Sequence, residues 1–183
     1  FFELAFPDRQ DRFPYRLCAT NQFGDSWEFH DPYSFLPLLS DYDIHLMAEG
    51  THYRNYEKLG SHIRVVDGVR GVHFAVWAPN AKRVSVIGDF NQWDGRRHPM
   101  RLHSGAGIWE IFIPELREET VYKFEIKWKR FGFITHKTDP YAFYFERRPK
   151  TGAIVYDINQ YLWRDQEWIE QRDARKALDA PLS

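Results

Sequence analysis

Residues Val121–Trp128 read Val-Tyr-Lys-Phe-Glu-Ile-Lys-Trp, and this strict period of two constrains the chain more than any other stretch. Successive side chains of a strand point to opposite faces. The run therefore puts Tyr122, Phe124, Ile126 and Trp128 on one side and Lys123, Glu125 and Lys127 on the other. A helix would scatter both sets around its circumference. Similar runs at 71–77, 83–90 and 108–113, and shorter ones at 134–138 and 153–158, are separated by turn chemistry such as Ala78-Pro79-Asn80 and Pro114. Short strands divided by turns, with no long helical pattern, predict an immunoglobulin-like β-sandwich over residues 63–160. Val72, Phe74, Val76, Val84 and Val86 are its expected inward positions. Trp77 and Trp109, inside strands, are also expected in the core.

The flanks read differently. Residues 15–20 and Ser26–Phe29, joined by Asn21-Gln22-Phe23-Gly24-Asp25, look like a hairpin. Two strands alone are marginal in water. Residues 1–40 are therefore expected to be the carboxyl-terminal remnant of a first β-sandwich domain. Residues 41–62 form a connector: Ser40 caps a short helix over Asp41–Glu49 with acids in its first turn and Gly50 just beyond, and a second turn over 53–59 ends at Gly60. Residues 161–183 turn polar, carry a short helix or a loose segment at 172–178, and read as a lead-out to a further domain. The chain opens at Phe1 rather than Met, which fits a piece of something longer.

Composition removes several functions. With 25 basic and 26 acidic residues and no block of like charge, nothing suggests a nucleic-acid footprint or a membrane-surface patch. No apolar run reaches a membrane span. Cys18 is the single cysteine, so a reducing, cytoplasmic setting fits. Nucleophile elbows and phosphate loops are absent. His45, His52 and His62 do not share a helix face, and no CxxC or HExxH occurs, so no metal or cofactor is expected. Carboxylates are plentiful, but none lies at the end of a barrel strand, because no alternating βα pattern exists. Aromatic residues make up 17% of the chain, more than a small core needs, and flat rings are what sugar-binding surfaces use against pyranose C–H groups.

Several stretches then become recognisable. These are Asp31-Pro32-Tyr33-Ser34-Phe35; Glu49-Gly50-Thr51-His52; Tyr56-Glu57-Lys58-Leu59-Gly60; Gly88-Asp89-Phe90-Asn91-Gln92-Trp93-Asp94-Gly95; and Tyr122-Lys123-Phe124 followed by Thr138-Asp139-Pro140-Tyr141-Ala142. Together they resemble the amino-terminal region of bacterial 1,4-α-glucan (glycogen) branching enzymes. From Gly71 onward the chain resembles carbohydrate-binding module family 48. The resemblance implies a non-catalytic glucan-binding and scaffolding segment, with an α-glucan such as glycogen or a maltooligosaccharide as ligand. A catalytic barrel of the same polypeptide is the implied partner. No catalytic residue carries over, because the barrel's nucleophile and acid motifs are absent. A stand-alone glycogen-binding regulatory module and the front of a debranching enzyme are the alternatives.

Trp93 matches a stacking position of related modules, and Lys123 a sugar-contacting lysine. Asn91 either bonds a hydroxyl or shapes its turn. Trp128 shares the face of Tyr122 and so reads as core or as a platform, with Phe133 an alternative ring for stacking. Asp139-Pro140-Tyr141-Ala142 reads as a structural turn or a contact with the barrel.

Overall fold

The computed structural model describes residues 4–9 and 11–174. Its body is mainly β: two antiparallel sheets packed face to face. The first sheet runs in the order β3 (Gly60–Val66), β4 (Val69–Trp77), β7 (Ile108–Pro114), β6 (Arg101–His103). The second runs β10 (Tyr144–Phe145), β11 (Ala153–Ile154), β8 (Val121–Trp128), β5 (Ala81–Gly88), and β9 (Ile134–Lys137) also pairs with β8. β3, β6 and β10 were not assigned from the sequence. The strand expected over 153–158 stops at Ile154, and Asp157 then caps a 3-10 turn at Ile158–Gln160.

Alternation fills the space between the sheets. Val72, Phe74 and Val76 of β4 meet Val84 and Val86 of β5, Ile111 and Ile113 of β7, and Tyr122 and Phe124 of β8. These side chains are fully or nearly fully buried. Phe74 and Tyr122 meet edge to face at 4.8 Å, a geometry that suits the ring quadrupoles. Trp109 is in the core as expected, its indole N–H donating to the Ala78 carbonyl at 3.0 Å. Trp77 is not: it is 62% exposed, because odd positions of β4 face away from the partner sheet and Trp77 is the strand's last residue. Its indole N–H reaches the Ala106 carbonyl at 3.1 Å instead.

β4 is buried from Gly71 to Val76 without a break, whereas β8 keeps polar residues on its second face. A continuous apolar run is the mark of a strand covered on both sides. The cover is the connector together with the residues that lead into it, from Phe35 on. Helix α1 (Asp41–Glu49) starts in a reciprocal cap, with the Ser40 hydroxyl on the Asp43 amide and the Asp43 carboxylate on the Ser40 amide, and stops at left-handed Gly50. Leu39 and Leu59, with Ile44 and Met47, pack on Ala75 and Ile108. Phe35 meets Phe112 at 4.8 Å.

One polar group pins this cover to the sheet. Glu110, in the middle of β7, is almost fully buried. Its carboxylate accepts the amides of Leu38 (2.9 Å) and Leu39 (3.3 Å), the His73 Nε2 proton (2.7 Å), and a further bond from His103. Upstream, β1 (Leu17–Thr20) and β2 (Ser26–Phe29) form a separate hairpin, its turn held by the Asn21 side chain accepting from the Phe23 and Asp25 amides. Helix α2 (Gln166–Ala174) begins earlier than the 172–178 segment read from the sequence, and residues 175–178 lie outside the described residues.

Candidate functional site

β5 ends at Gly88, and a 3-10 turn at Asp89–Asn91 reverses the chain. Asn91 is fully buried at its centre. Its Oδ1 accepts the Gly88 amide (3.0 Å), while its Nδ2 donates to the Val86 carbonyl (2.8 Å) and to His98 Nδ1 (2.9 Å). No polar atom of this side chain is left at the surface. Asn91 therefore leaves the sugar-contact set and stands as the staple of the turn. Burial pushes the His98 imidazole below its ordinary pKa, which keeps it the neutral acceptor that Asn91 needs.

The staple forces an unusual backbone. Gln92 and Trp93 both take positive φ, 59° and 58°, which L-residues with bulky side chains seldom adopt. Two such residues in sequence cost about 1–2 kcal/mol each. The result is a Trp93 ring that is 36% exposed, with its indole N–H fixed on the Asp89 carboxylate at 2.7 Å. The loop continues across the outer face of the second sheet, where Gly95 lies on Glu125. A Cβ at position 95 would sit 2.1 Å from the Glu125 Oε1. Glu125 is itself buried and paired with Arg83.

Lys123 of β8 stands beside this loop, and its Nζ donates to the Thr151 hydroxyl at 2.8 Å. Thr151 belongs to the turn between β10 and β11, closed by the Glu146 carboxylate on the Gly152 amide (3.0 Å) and paired with Lys150 at 3.4 Å. Trp93 and Lys123 thus line one open trough of about 610 Å³ together with Asp89, Glu146, Lys150 and Thr151. A partly exposed indole, an ammonium and a hydroxyl in one trough are groups that can meet a pyranose: C–H groups against the ring face, hydroxyls toward the polar atoms.

Trp128 and Phe133 are elsewhere. Five residues separate Trp128 from Lys123, about 17 Å along a strand. Alternation also turns the two to opposite sides of β8. Trp128 is 41% exposed and bonded through its indole to Thr135, and Phe133, 66% exposed, is its cross-strand neighbour. The structure brings Trp93 and Lys123 together and leaves these two apart. Asp139 is buried, its Oδ1 accepting the Tyr141 amide at 2.8 Å and its Oδ2 bonded to the Tyr122 hydroxyl, so this segment is a turn locked onto the core. The trough residues Glu146, Lys150 and Thr151 escaped sequence reading because only the pairing of Ala153 with Tyr122 and Ile154 with Val121 carries their turn to Lys123.

Residues 58–142 match the family model "Carbohydrate-binding module 48 (Isoamylase N-terminal domain)". The chain is 53% identical over 169 residues to a 1,4-alpha-glucan branching enzyme of Paramagnetospirillum magneticum, covering 92% of this chain and 23% of that protein. It is 58% identical over 161 residues to one of Thermosynechococcus vestitus (87% and 21%). A third, from Gloeobacter violaceus, is 53% identical over 184 residues (100% and 25%). The chain thus spans about a quarter of the length of these curated relatives. Among solved structures, ligand-free pullulanase of Klebsiella pneumoniae aligns with a TM-score of 0.45 at 24% identity, over 56% of this chain and 10% of that one. An Anoxybacillus pullulanase complexed with maltotriose aligns with a TM-score of 0.46 at 16% identity, over 80% and 19%.

Proposed function

We propose that this chain, which carries a carbohydrate-binding module 48 segment over residues 58–142, is the non-catalytic, glucan-holding front segment of a cytoplasmic 1,4-α-glucan branching enzyme. In this reading the longer enzyme moves an α-1,4 glucan segment to an α-1,6 position in glycogen synthesis. The present chain supplies grip and scaffolding. Residues 1–40 are the end of a preceding β-domain, 41–62 the connector, 63–160 the module and 161–183 the lead to the catalytic domain.

The observation that carries this reading is the convergence of Trp93 and Lys123 in one trough on the matched module. Backbone strain and the Asp89 bond hold the indole in place, so little of its freedom is lost when sugar binds. One stacking ring with one or two hydrogen bonds is still a small contact. After the entropy of association, a Kd of about 0.1–1 mM or weaker remains. Trp128 and Phe133 stay candidates for a separate, weaker contact.

Titration of maltoheptaose followed by NMR tests the reading. The shifts centre on Trp93 and Lys123, and Trp93→Ala abolishes them while moving the thermal midpoint little. A Trp93→Ala protein that binds like the parent, or shifts confined to Trp128 and Phe133, refutes the assignment. New α-1,6 branches made by the purified chain from amylose would refute its non-catalytic role.

A further inference from the structure

We propose that Asp139 is a positioning residue of the glucan trough: its neutral, buried carboxyl fixes the place where β9 hands the edge of β8 to β11, and ionising it loosens the Lys123–Thr151 pair. The inference rests on the trough reading above and adds a pH-dependent control to that site.

One edge of β8 has two successive neighbours. β9 pairs with it from Lys127 to Phe124, and β11 takes over at Tyr122 and Val121. Lys123 stands at the handover, and two hydrogen bonds span the junction. The Lys123 Nζ donates to the Thr151 hydroxyl at 2.8 Å, and the Thr138 hydroxyl donates to the Thr151 carbonyl at 2.6 Å. Thr151 is therefore held at both oxygens, and the second hold comes from the residue next to Asp139. Asp139 itself is 1% exposed. Its Oδ2 meets the Tyr122 hydroxyl and its Oδ1 accepts the Tyr141 amide at 2.8 Å, so it grips both β8, one residue from Lys123, and the turn that follows. That turn has no slack toward β3, because a Cβ at Gly60 would lie 2.9 Å from the Tyr141 carbonyl oxygen.

The groups around this carboxyl supply no compensating charge. From β8 it meets the Tyr122 phenol, which burial and then Asp139 push well above its ordinary pKa and so keep neutral. From β3 come Ser61, bonded to the Tyr122 hydroxyl, and His62, whose ring is turned onto the Leu59 carbonyl at 3.0 Å and held below its ordinary pKa by burial. On β9, His136 lies 3.6 Å from Glu125, and Lys137 is exposed. An ionised Asp139 thus has two donors and, among the described residues, no cation. It must draw in water or turn out of the sandwich. Either movement carries Thr138 away from Thr151. Burial raises the Asp139 carboxyl to about 6, within the range that a modest change of pH crosses. The neutral form is the one that holds the junction, so the grip is complete below that value and is lost as pH rises through it.

The test titrates maltoheptaose into the 183-residue chain at about pH 4.5 and about pH 7.5, on either side of the Asp139 transition. The Lys123 and Thr151 amide resonances are also followed across the same range without sugar. In the parent, affinity falls about fivefold between the two conditions, the low end for coupled sites, and both amides titrate with a midpoint of about 6. Asp139→Asn, whose NH2 donates to Tyr122 as the neutral carboxyl does, keeps the acid-side affinity at both and leaves the amides flat. Thr138→Val retains the branch and loses the hydroxyl. Its Asp139 carboxyl carbon still titrates, but it binds at both conditions as the parent does at the higher pH. Amides that stay flat in the parent overturn the inference. So does an Asp139→Asn affinity profile equal to the parent's, which would assign the profile to Asp89 or Glu146 in the trough. A Thr138→Val protein with the parent's profile would also overturn it, since Asp139 would then serve the fold alone. Absence of maltoheptaose binding at either pH would be a failure of the trough reading, and the sugar-free amide titration would still decide whether Asp139 sets the Lys123–Thr151 pair.

Discussion

Replacing Glu110 should detach the connector from the sandwich. Its carboxylate takes four donors in a site almost closed to water: the Leu38 and Leu39 amides, which lead into the connector, at 2.9 and 3.3 Å, and the His73 and His103 rings. Burial by itself pushes this carboxyl up. The hydrogen bond and charge of His73, then the Leu38 amide and His103, outweigh it and hold the pKa below the ordinary value of 4.5. Glu110→Ala strands buried donors that no water reaches, at a cost of about 3–5 kcal/mol. Glu110→Gln keeps the shape and one oxygen for the Leu38 and Leu39 amides, while its NH2 meets His103, whose ring can accept in its other tautomer. About 1–2 kcal/mol is then lost. Urea unfolding gives both numbers, and hydrogen exchange over 35–47 shows whether the connector opens first. The acid limb follows from the direction of the shift. A depressed folded pKa means that the unfolded state takes up the proton first, so the Glu110 contribution is complete above the unfolded value and fades as pH falls from there through the folded one. The parent should lose stability on that limb more steeply than Glu110→Gln. A Glu110→Ala protein within about 1 kcal/mol of the parent, or indistinguishable from Glu110→Gln, would refute the reasoning.

Asp139 predicts the opposite slope. Burial raises its carboxyl from 3.8 to about 6, against the pull of the Tyr122 hydroxyl and the Tyr141 amide, so the unfolded state ionises first. Stability should fall by about 2–3 kcal/mol as pH rises from 4 through 6, and Asp139→Asn should flatten that part of the urea-midpoint profile. An unchanged profile in Asp139→Asn would exclude Asp139 as its source. The two strand tryptophans separate cleanly: Trp109→Ala should cost about 3–5 kcal/mol as a buried ring, and Trp77→Ala, on the open end of β4, about 1 kcal/mol or less. Similar thermal shifts for both would contradict their different burial.

Local order was legible in the residues. The period of two in β8 placed Tyr122 and Phe124 inward, the valines of β4 and β5 fell on the expected face, and Ser40, Asp43 and Gly50 spelled both ends of α1. Each of these depends on neighbours within a few positions of the chain. The short strands β6 and β10 escaped because two or three residues show no period. What tertiary structure alone decided depends on partners far apart in sequence. Trp77 looked like Trp109 until the register of β4 put one outside. Asn91 read either as a sugar ligand or as the shaper of its turn until the packing of that turn engaged every polar atom it has. Glu110 and His73 did carry a signal, a charged residue and a histidine in otherwise apolar strands. Their meaning appeared only when residues 37 positions apart met under Leu38. The trough has the same origin. Sequence proposed Trp93 and Lys123 separately, and the pairing of β11 with β8 brought Thr151 to them. A one-dimensional pattern fixes which face a side chain takes, but burial and hydrogen-bond satisfaction belong to the assembled sheets, and those decide which polar groups stay free to bind.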